Sequence, residues 1–397
     1  MRRRNSKFDV KKAIIWVVTM LLSITAILVG NRAVMGEAQI FTNSDSEVTR
    51  ATVTQVLDQA SDTLELGGNT SYENTVVAFK CEIKSGKDAG KEVEALQTID
   101  GMYAGSQYVK AVEPGDKIIL IRAEGATNMD GMWQFSDYYR FDKILILIGI
   151  FVVIILLIGR WKGVNTLLSL AFTFCFVFFV FVPAVMSGYN AYLWSCVTCV
   201  FTIVMTLILI NSISKKTIAT IIGCISGTVI AALGTAIMSE VLGLTGYVDE
   251  HSYYLTLLNT ETPIDLTAII FAAITIGAVG AIMDVAMDLS SSLYELSEQV
   301  PDMTFVKLCK SGFSIGRDIM GTMANTLVLA YIGSSLSCIM ILLTYTASSL
   351  DLLSREVIVV ELLQAVVGSL AILLTVPCTI VICGILYIGH NNKRRTK

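Results

Sequence analysis

Two stretches place acids and an amide inside apolar sequence at helical spacing: Gly277-Ala-Val-Gly-Ala-Ile-Met-Asp284-Val-Ala-Met-Asp288, and Arg317-Asp318-Ile-Met-Gly-Thr322-Met-Ala-Asn325. Asp284 and Asp288 are four apart, so a helix sets both carboxylates on one face, which Gly277 and Ala281 continue. Asp318, Thr322 and Asn325 stand at i, i+4 and i+7 and share a face in the same way. An acid at the centre of a membrane helix costs about 2.5–3.5 kcal/mol on insertion scales, so it persists where a partner, water or a bound group offsets that cost. Two readings fit. The stripes can hold a cation, a proton or a small polar solute, with Arg317 pairing an acid as a gate. Alternatively they lock two helices together, with Asn325 hydrogen-bonding across the interface for about 0.6–2 kcal/mol.

The elements that must carry these residues follow from composition. Of 397 residues, 54% are hydrophobic and 16% charged, and the mean hydropathy is +0.67, which places the chain among integral membrane proteins. A net charge of −4 and a pI near 5.4 leave no basic stripe for nucleic acid. Nine cysteines fall mostly in apolar runs, with Cys81 alone in the large polar segment, so they read as packing residues. Cys196-Val-Thr-Cys199 has ligand spacing but no accompanying histidine, and with two histidines in the chain neither a zinc site nor another cofactor is expected.

Along the chain, Arg2, Arg3, Arg4, Lys7, Lys11 and Lys12 precede the apolar run Ala13–Gly30, read as an uncleaved first span because it exceeds the apolar core of a signal peptide. Residues 35–141 change to alternating polar and β-branched sequence. Val53–Leu57, Thr75–Ile83, Glu92–Ile99 and Lys117–Arg122 predict strands, Glu113-Pro-Gly-Asp116 a tight turn, and the whole a small extracytoplasmic β-barrel, OB-like. Tyr103, Tyr108, Trp133, Tyr138 and Tyr139 offer stacking surfaces, against the plainer expectation that Trp133, Tyr138 and Tyr139 pack the core or sit at headgroup level. Gly86-Lys-Asp-Ala-Gly-Lys91 is one residue short of a phosphate loop, with Glu92 where Ser or Thr is needed, so it reads as a polar hairpin loop.

From residue 142 to 390 seven further spans are expected: Ile144–Gly159, Val164–Val182, Ala191–Ile210, Ile218–Leu242, Leu266–Ala286, Ile319–Tyr345 and Leu363–Ile388. Together with the first they make an eight-helix bundle. Pro183 is expected at a helix end and Pro377 at a kink, Gly223, Gly227, Ala273 and Gly277 at close helix contacts, and residues 289–316 form a cytoplasmic loop. Arg160 and Lys162, Lys215 and Lys216, Lys307, Lys310 and Arg317, and the basic tail 391–397 all fall at junctions on one side, which the positive-inside rule makes cytoplasmic, as are residues 1–12 ahead of the span that ends the 1–34 segment.

Arg140 leading into the second span, the run Met283-Asp-Val-Ala-Met-Asp-Leu-Ser-Ser-Ser-Leu-Tyr-Glu295 and the run Ile315-Gly-Arg-Asp-Ile-Met-Gly-Thr-Met-Ala-Asn-Thr-Leu-Val-Leu-Ala-Tyr-Ile-Gly333 resemble the YibE/F family of bacterial multi-pass membrane proteins, over nearly all the chain after the first helix. The resemblance implies a bacterial cell membrane and transfers no residue role. Three functions remain open: a transporter or permease for a small solute or ion, using Asp284, Asp288, Arg317, Asp318, Thr322 and Asn325; a membrane scaffold whose domain at 35–141 recruits a protein partner; and, least supported, an intramembrane hydrolase. Ser290-Ser-Ser292 has no histidine within its segment, so no catalytic residue is assigned and a non-enzyme is expected.

Overall fold

The computed structural model describes residues 10–34, 47–66, 70–100, 110–122, 132–248, 250–257, 263–300, 302–346 and 348–395. The chain divides into two compact units, Gln39–Ile155 and Met1–Ala38 with Leu156–Lys397. Tyr103 and Tyr108 lie outside the described residues.

The first unit is a closed five-stranded barrel in the order β1-β2-β3-β5-β4. Its strands are β1 (Glu47–Leu66), β2 (Thr70–Ile83), β3 (Glu92–Ile99), β4 (Lys117–Arg122) and β5 (Trp133–Tyr138). Neighbours are antiparallel except β3 and β5, which pair in parallel. Alternation fills the interior: Ala51 and Val53, Val77, Phe79, Cys81 and Ile83, Ile118 and Leu120 all point inward. β3 and β4 have the expected bounds, while β1 and β2 run on into a long hairpin with register shifts between Val53 and Gln55 and between Val56 and Asp58. Such bulges bend a strand so that it can serve a closed sheet. β5 escapes the strand pattern because Gln134, Ser136 and Asp137 dilute it. Its Trp133 is nonetheless core, 5% exposed, so the plainer expectation for that ring holds. Gly115 takes φ 96 in the expected turn, closed by Asp116 N–H donating to Glu113 O at 3.0 Å. Residues 86–91 form the polar loop between β2 and β3, where Lys91 pairs with Asp88 at 2.7 Å.

The second unit is helical. Its elements are α1 (Val10–Val34), the later part of α2 (Phe141–Phe176), a π-helical turn Val177–Phe181, α3 (Val182–Met186), α4 (Ala191–Asn211), α5 (Lys215–Val241), α6 (Glu250–Thr256), α7 (Leu266–Gln299), α8 (Phe305–Ser334), α9 (Leu336–Tyr345), α10 (Ser349–Ser354) and α11 (Glu356–Arg395). Among the described residues six stretches are long and apolar enough to cross a membrane, and the α8–α9 pair, bent by 60°, makes a seventh. One of the six, Phe141–Met186, is 46 residues long and is broken at Arg160, whose φ of 50° and ψ of −125° are not helical.

Two local expectations are corrected. Residues 289–316 are not a loop: α7 continues to Gln299 and α8 begins at Phe305. Ser290, Leu293 and Ser297 are buried along that extension, a helical stripe that the neighbouring charges masked, and Thr304 caps α8 by accepting from Lys307 N. Pro183 stands not at a helix end but within an unbroken helical run, directly after the π turn. A proline cannot donate to the ladder, and the wider turn accommodates that loss. Pro377 lies inside α11.

The core of the bundle is α5, α7 and α11. Added methyl groups at Gly223 and Gly227 would collide with Thr379 and Thr375 of α11, and those at Gly312 and Gly316 of α8 with Ile380 and Val376. Small residues are thus what lets these backbones approach. At one end Ser290 hydrogen-bonds Tyr387 at 2.7 Å and donates to Lys216 O at 3.2 Å, tying α7, α11 and α5. Trp16 Nε1 donates to Asn165 Oδ1 at 2.9 Å, and Asn165 Nδ2 donates to Leu209 O at 3.0 Å, tying α1, α2 and α4.

Candidate functional site

α7 is the most enclosed of the apolar helices, with 56% of its apolar window buried. Ile274, Ala278, Ile282, Val285, Ala286 and Leu289 give it a core-facing side. What remains open is a narrow stripe: Ala273, Gly277, Gly280, Asp284 and Asp288 are exposed, and Ala281 beside them is half-buried. The helical spacing therefore puts both acids on one face, as expected. Ala273 lies on this open stripe rather than in a close helix contact.

α8 is amphipathic in the complementary sense. Leu308, Gly312 and Gly316 are buried, while Arg317, Asp318, Gly321, Thr322, Asn325 and Thr326 are exposed along the other side. Thr322 Oγ1 donates to Ile319 O of its own helix at 2.9 Å. Among the described residues, Asp284, Asp288, Arg317, Asp318 and Asn325 make no side-chain hydrogen bond or ion pair. The expected Arg317 contact with an acid and the expected bond from Asn325 across the interface are therefore not made. The physical reason is that α8 packs through its small-residue side, Gly312 and Gly316 against α11, which turns its polar side outward.

What does meet the α7 stripe was not singled out from the sequence. A methyl group added at Gly277 would lie 3.3 Å from Tyr331 Oη and 3.8 Å from Gln364 Nε2, so a tyrosine of α8 and an amide of α11 converge there, about two turns from Asp284. Tyr331 Oη is buried without a hydrogen-bond partner among the described residues, which is costly in an apolar setting. The available signal was a polar residue in each apolar run: Tyr331 is six residues past Asn325, and Gln364 stands near the start of the last span.

A concavity of the bundle, about 270 Å³, is lined by residues that include Tyr189, Asn190, Tyr192 and Asp265. These belong to the turn before α4 and to the N-terminal end of α7, well over a turn from the acids. Cys196 and Cys199, which have ligand spacing, are respectively exposed and buried. Among the described residues no group of three or more His, Cys, Asp or Glu could hold a metal ion.

A family model described as YibE/F-like protein matches residues 147–389, more than half of the chain and the whole run from α2 into α11. The chain belongs to the YibE/F family. The match begins after the barrel, so the family likeness is narrower than the sequence resemblance implied and covers the membrane bundle. No curated protein and no solved structure is matched.

Proposed function

We propose that this YibE/F-family membrane protein is a transporter or permease for a small cation, proton or polar solute, working through the open α7 stripe. The observation that carries the reading is the pair of unpaired, exposed carboxylates, Asp284 and Asp288, on the helix around which the bundle packs. Asp284 stands eighteen residues after Leu266, about 27 Å along the helix, inside a hydrocarbon layer of roughly 30 Å. Asp288 is at its edge. A carboxylate there needs water, a ligand or a protein neighbour, and the proposal places the first two along the exposed small residues Ala273, Gly277 and Gly280. Asp318, Thr322 and Asn325, with Arg317 beside them, supply further polar groups on the outward side of α8, a face separate from the α7 stripe.

The topology we propose has eight spans, with Phe141–Met186 crossing twice about the Arg160 break, an OB-like barrel outside, and both termini in the cytoplasm of a bacterial cell. Supporting it, the contacts Trp16–Trp161, Asn165–Leu209, Lys216–Ser290 and Ser290–Tyr387 gather the junctions with Arg160, Lys162, Lys215 and Lys216 at one end of the bundle. No catalytic step is assigned, since Ser290 is engaged by Tyr387. Flux into sealed vesicles tests the reading: Asp284→Asn and Asn325→Ala should each lower it severalfold at normal expression, and unchanged flux in both removes these residues from any mechanism.

A scaffold role is the second reading, favoured by the barrel's being a separate compact unit outside the family match. It requires that crosslinking through residues 35–141 recover a defined protein partner and that deleting residues 45–135 abolish its capture.

A further inference from the structure

On the outer surface of the barrel a concavity of about 280 Å³ is lined by Arg50, Ala51, Thr52, Lys84, Lys117, Tyr139 and Asp142. Strand register assembles it. Arg50 and Thr52 alternate with the inward Ala51 and Val53 and so face out. Thr52 is paired with Lys117 across β1 and β4, Lys84 N donates to Arg50 O at 2.7 Å, and Tyr139 N donates to Lys117 O at 2.8 Å.

Three cations thus converge against one carboxylate in the lining. Lys117 is held by Asp142 at 2.7 Å, and the hydrogen bond its ammonium donates to that carboxylate raises the Lys117 pKa. Lys84 is held by Glu82 at 2.6 Å. Arg50 differs: among the described residues it has no carboxylate partner, its Nη1 donating instead to Tyr139 Oη at 3.1 Å while its guanidinium lies 5.3 Å from that ring's centroid. A planar, always-charged fork without a direct carboxylate contact in a concavity is suited to the oxygens of a phosphate group.

The depth of the site narrows the source. Phe141, two residues after Tyr139, opens α2, and Phe141, Ile144, Leu145, Ile146 and Leu147 are all exposed at the start of a membrane span. Tyrosines beside such a start sit at headgroup level.

We propose that Arg50, with Lys84, Lys117 and Tyr139, binds the phosphate group of an anionic phospholipid headgroup. The concavity's net positive lining favours a headgroup of net negative charge over a zwitterionic one, whose own cation it repels. The site is built by the barrel and the start of α2 and is independent of the transport reading.

The test uses the full chain in detergent, followed by native mass spectrometry with phosphatidylglycerol, phosphatidylcholine and inorganic phosphate as separate probes. Phosphatidylglycerol should bind more tightly than phosphatidylcholine. Arg50→Ala should weaken one phosphatidylglycerol site by roughly tenfold, the scale of a lost charge-assisted contact. Lys84→Ala should weaken the same site, while Lys80→Ala, an exposed cation elsewhere on the barrel, should leave binding unchanged. Arg50-dependent binding of inorganic phosphate that phosphatidylglycerol fails to compete would keep the phosphate site and reassign its source to a free phosphate. Equal binding of both lipids, or an Arg50→Ala protein that binds phosphatidylglycerol like the parent, overturns the proposal.

Discussion

At the scale of single residues, the unpaired state of Asp284 separates its two readings. A carboxylate that locks helices costs stability when neutralised, whereas one without a partner does not. Asp284→Asn should therefore change unfolding stability by less than about 0.5 kcal/mol while lowering flux; a large loss of stability measured in detergent would return the residue to a structural role. Asn165 is the opposite case. Its carboxamide both accepts from Trp16 and donates to Leu209 O, so Asn165→Leu leaves a half-buried indole N–H and a buried carbonyl unserved and should destabilise by about 1–3 kcal/mol. Cys81, outside the apolar spans, is fully buried in the barrel, and burial, with Glu92 nearby, pushes its thiol up to about 11. The sign is that of a raised acid: the thiol stays protonated below that pH and cannot act as a nucleophile. At pH 8, peptide mapping after alkylation of the folded protein should find Cys81 unmodified, and modified once the chain is unfolded.

At the scale of elements, packing between α5 and α11 depends on the absence of side chains. Gly227→Leu would drive a side chain into Thr375 and Ile282, and overpacking of that kind costs about 1–3 kcal/mol; a thermal scan in detergent should show the loss, with Gly149→Leu, which meets nothing nearby, as the silent control. The start of α11 has its own fixture. Glu356 accepts from Thr245 N, Thr245 Oγ1 and Gly246 N, each at 2.7 Å, so Glu356→Ala should cost about 1–2 kcal/mol, reduced by partial exposure. Helix ends were the weakest part of the sequence reading for a shared reason. Hydropathy locates the lipid-crossing portion, but α7 and α8 continue beyond it by packing Ser290, Leu293, Ser297 and Leu308, whose mixed polarity resembles that of a loop.

At the scale of the molecule, the barrel and the bundle are separate compact units, and the family match stops short of the barrel. Deleting residues 45–135 should accordingly leave the helices inserted, with an unchanged flux if transport is a property of the bundle alone; protease protection and vesicle uptake measure the two outcomes. The proposed orientation is checked by fusing reporters to the two termini, which should both report the cytoplasm.

The amino-acid sequence determined what depends on polarity and period alone. Apolar runs long enough to span a bilayer, a β-rich insert with its Pro-Gly turn, and the placing of Asp284 with Asp288 on one helical face all follow from a single segment at a time. Partners across space follow no such rule. The polar side chains of α8 face outward because Gly312 and Gly316 fit against α11, leaving Arg317 and Asn325 without the contacts their types invited. Tyr331 and Gln364, from two other helices, came to Gly277 instead. Likewise Arg50, Lys84 and Lys117, scattered over 68 positions from 50 to 117, became neighbours only when strand register closed the barrel. Which residues meet is decided by the order of strands and the fit of helix surfaces, and those are properties of the tertiary structure.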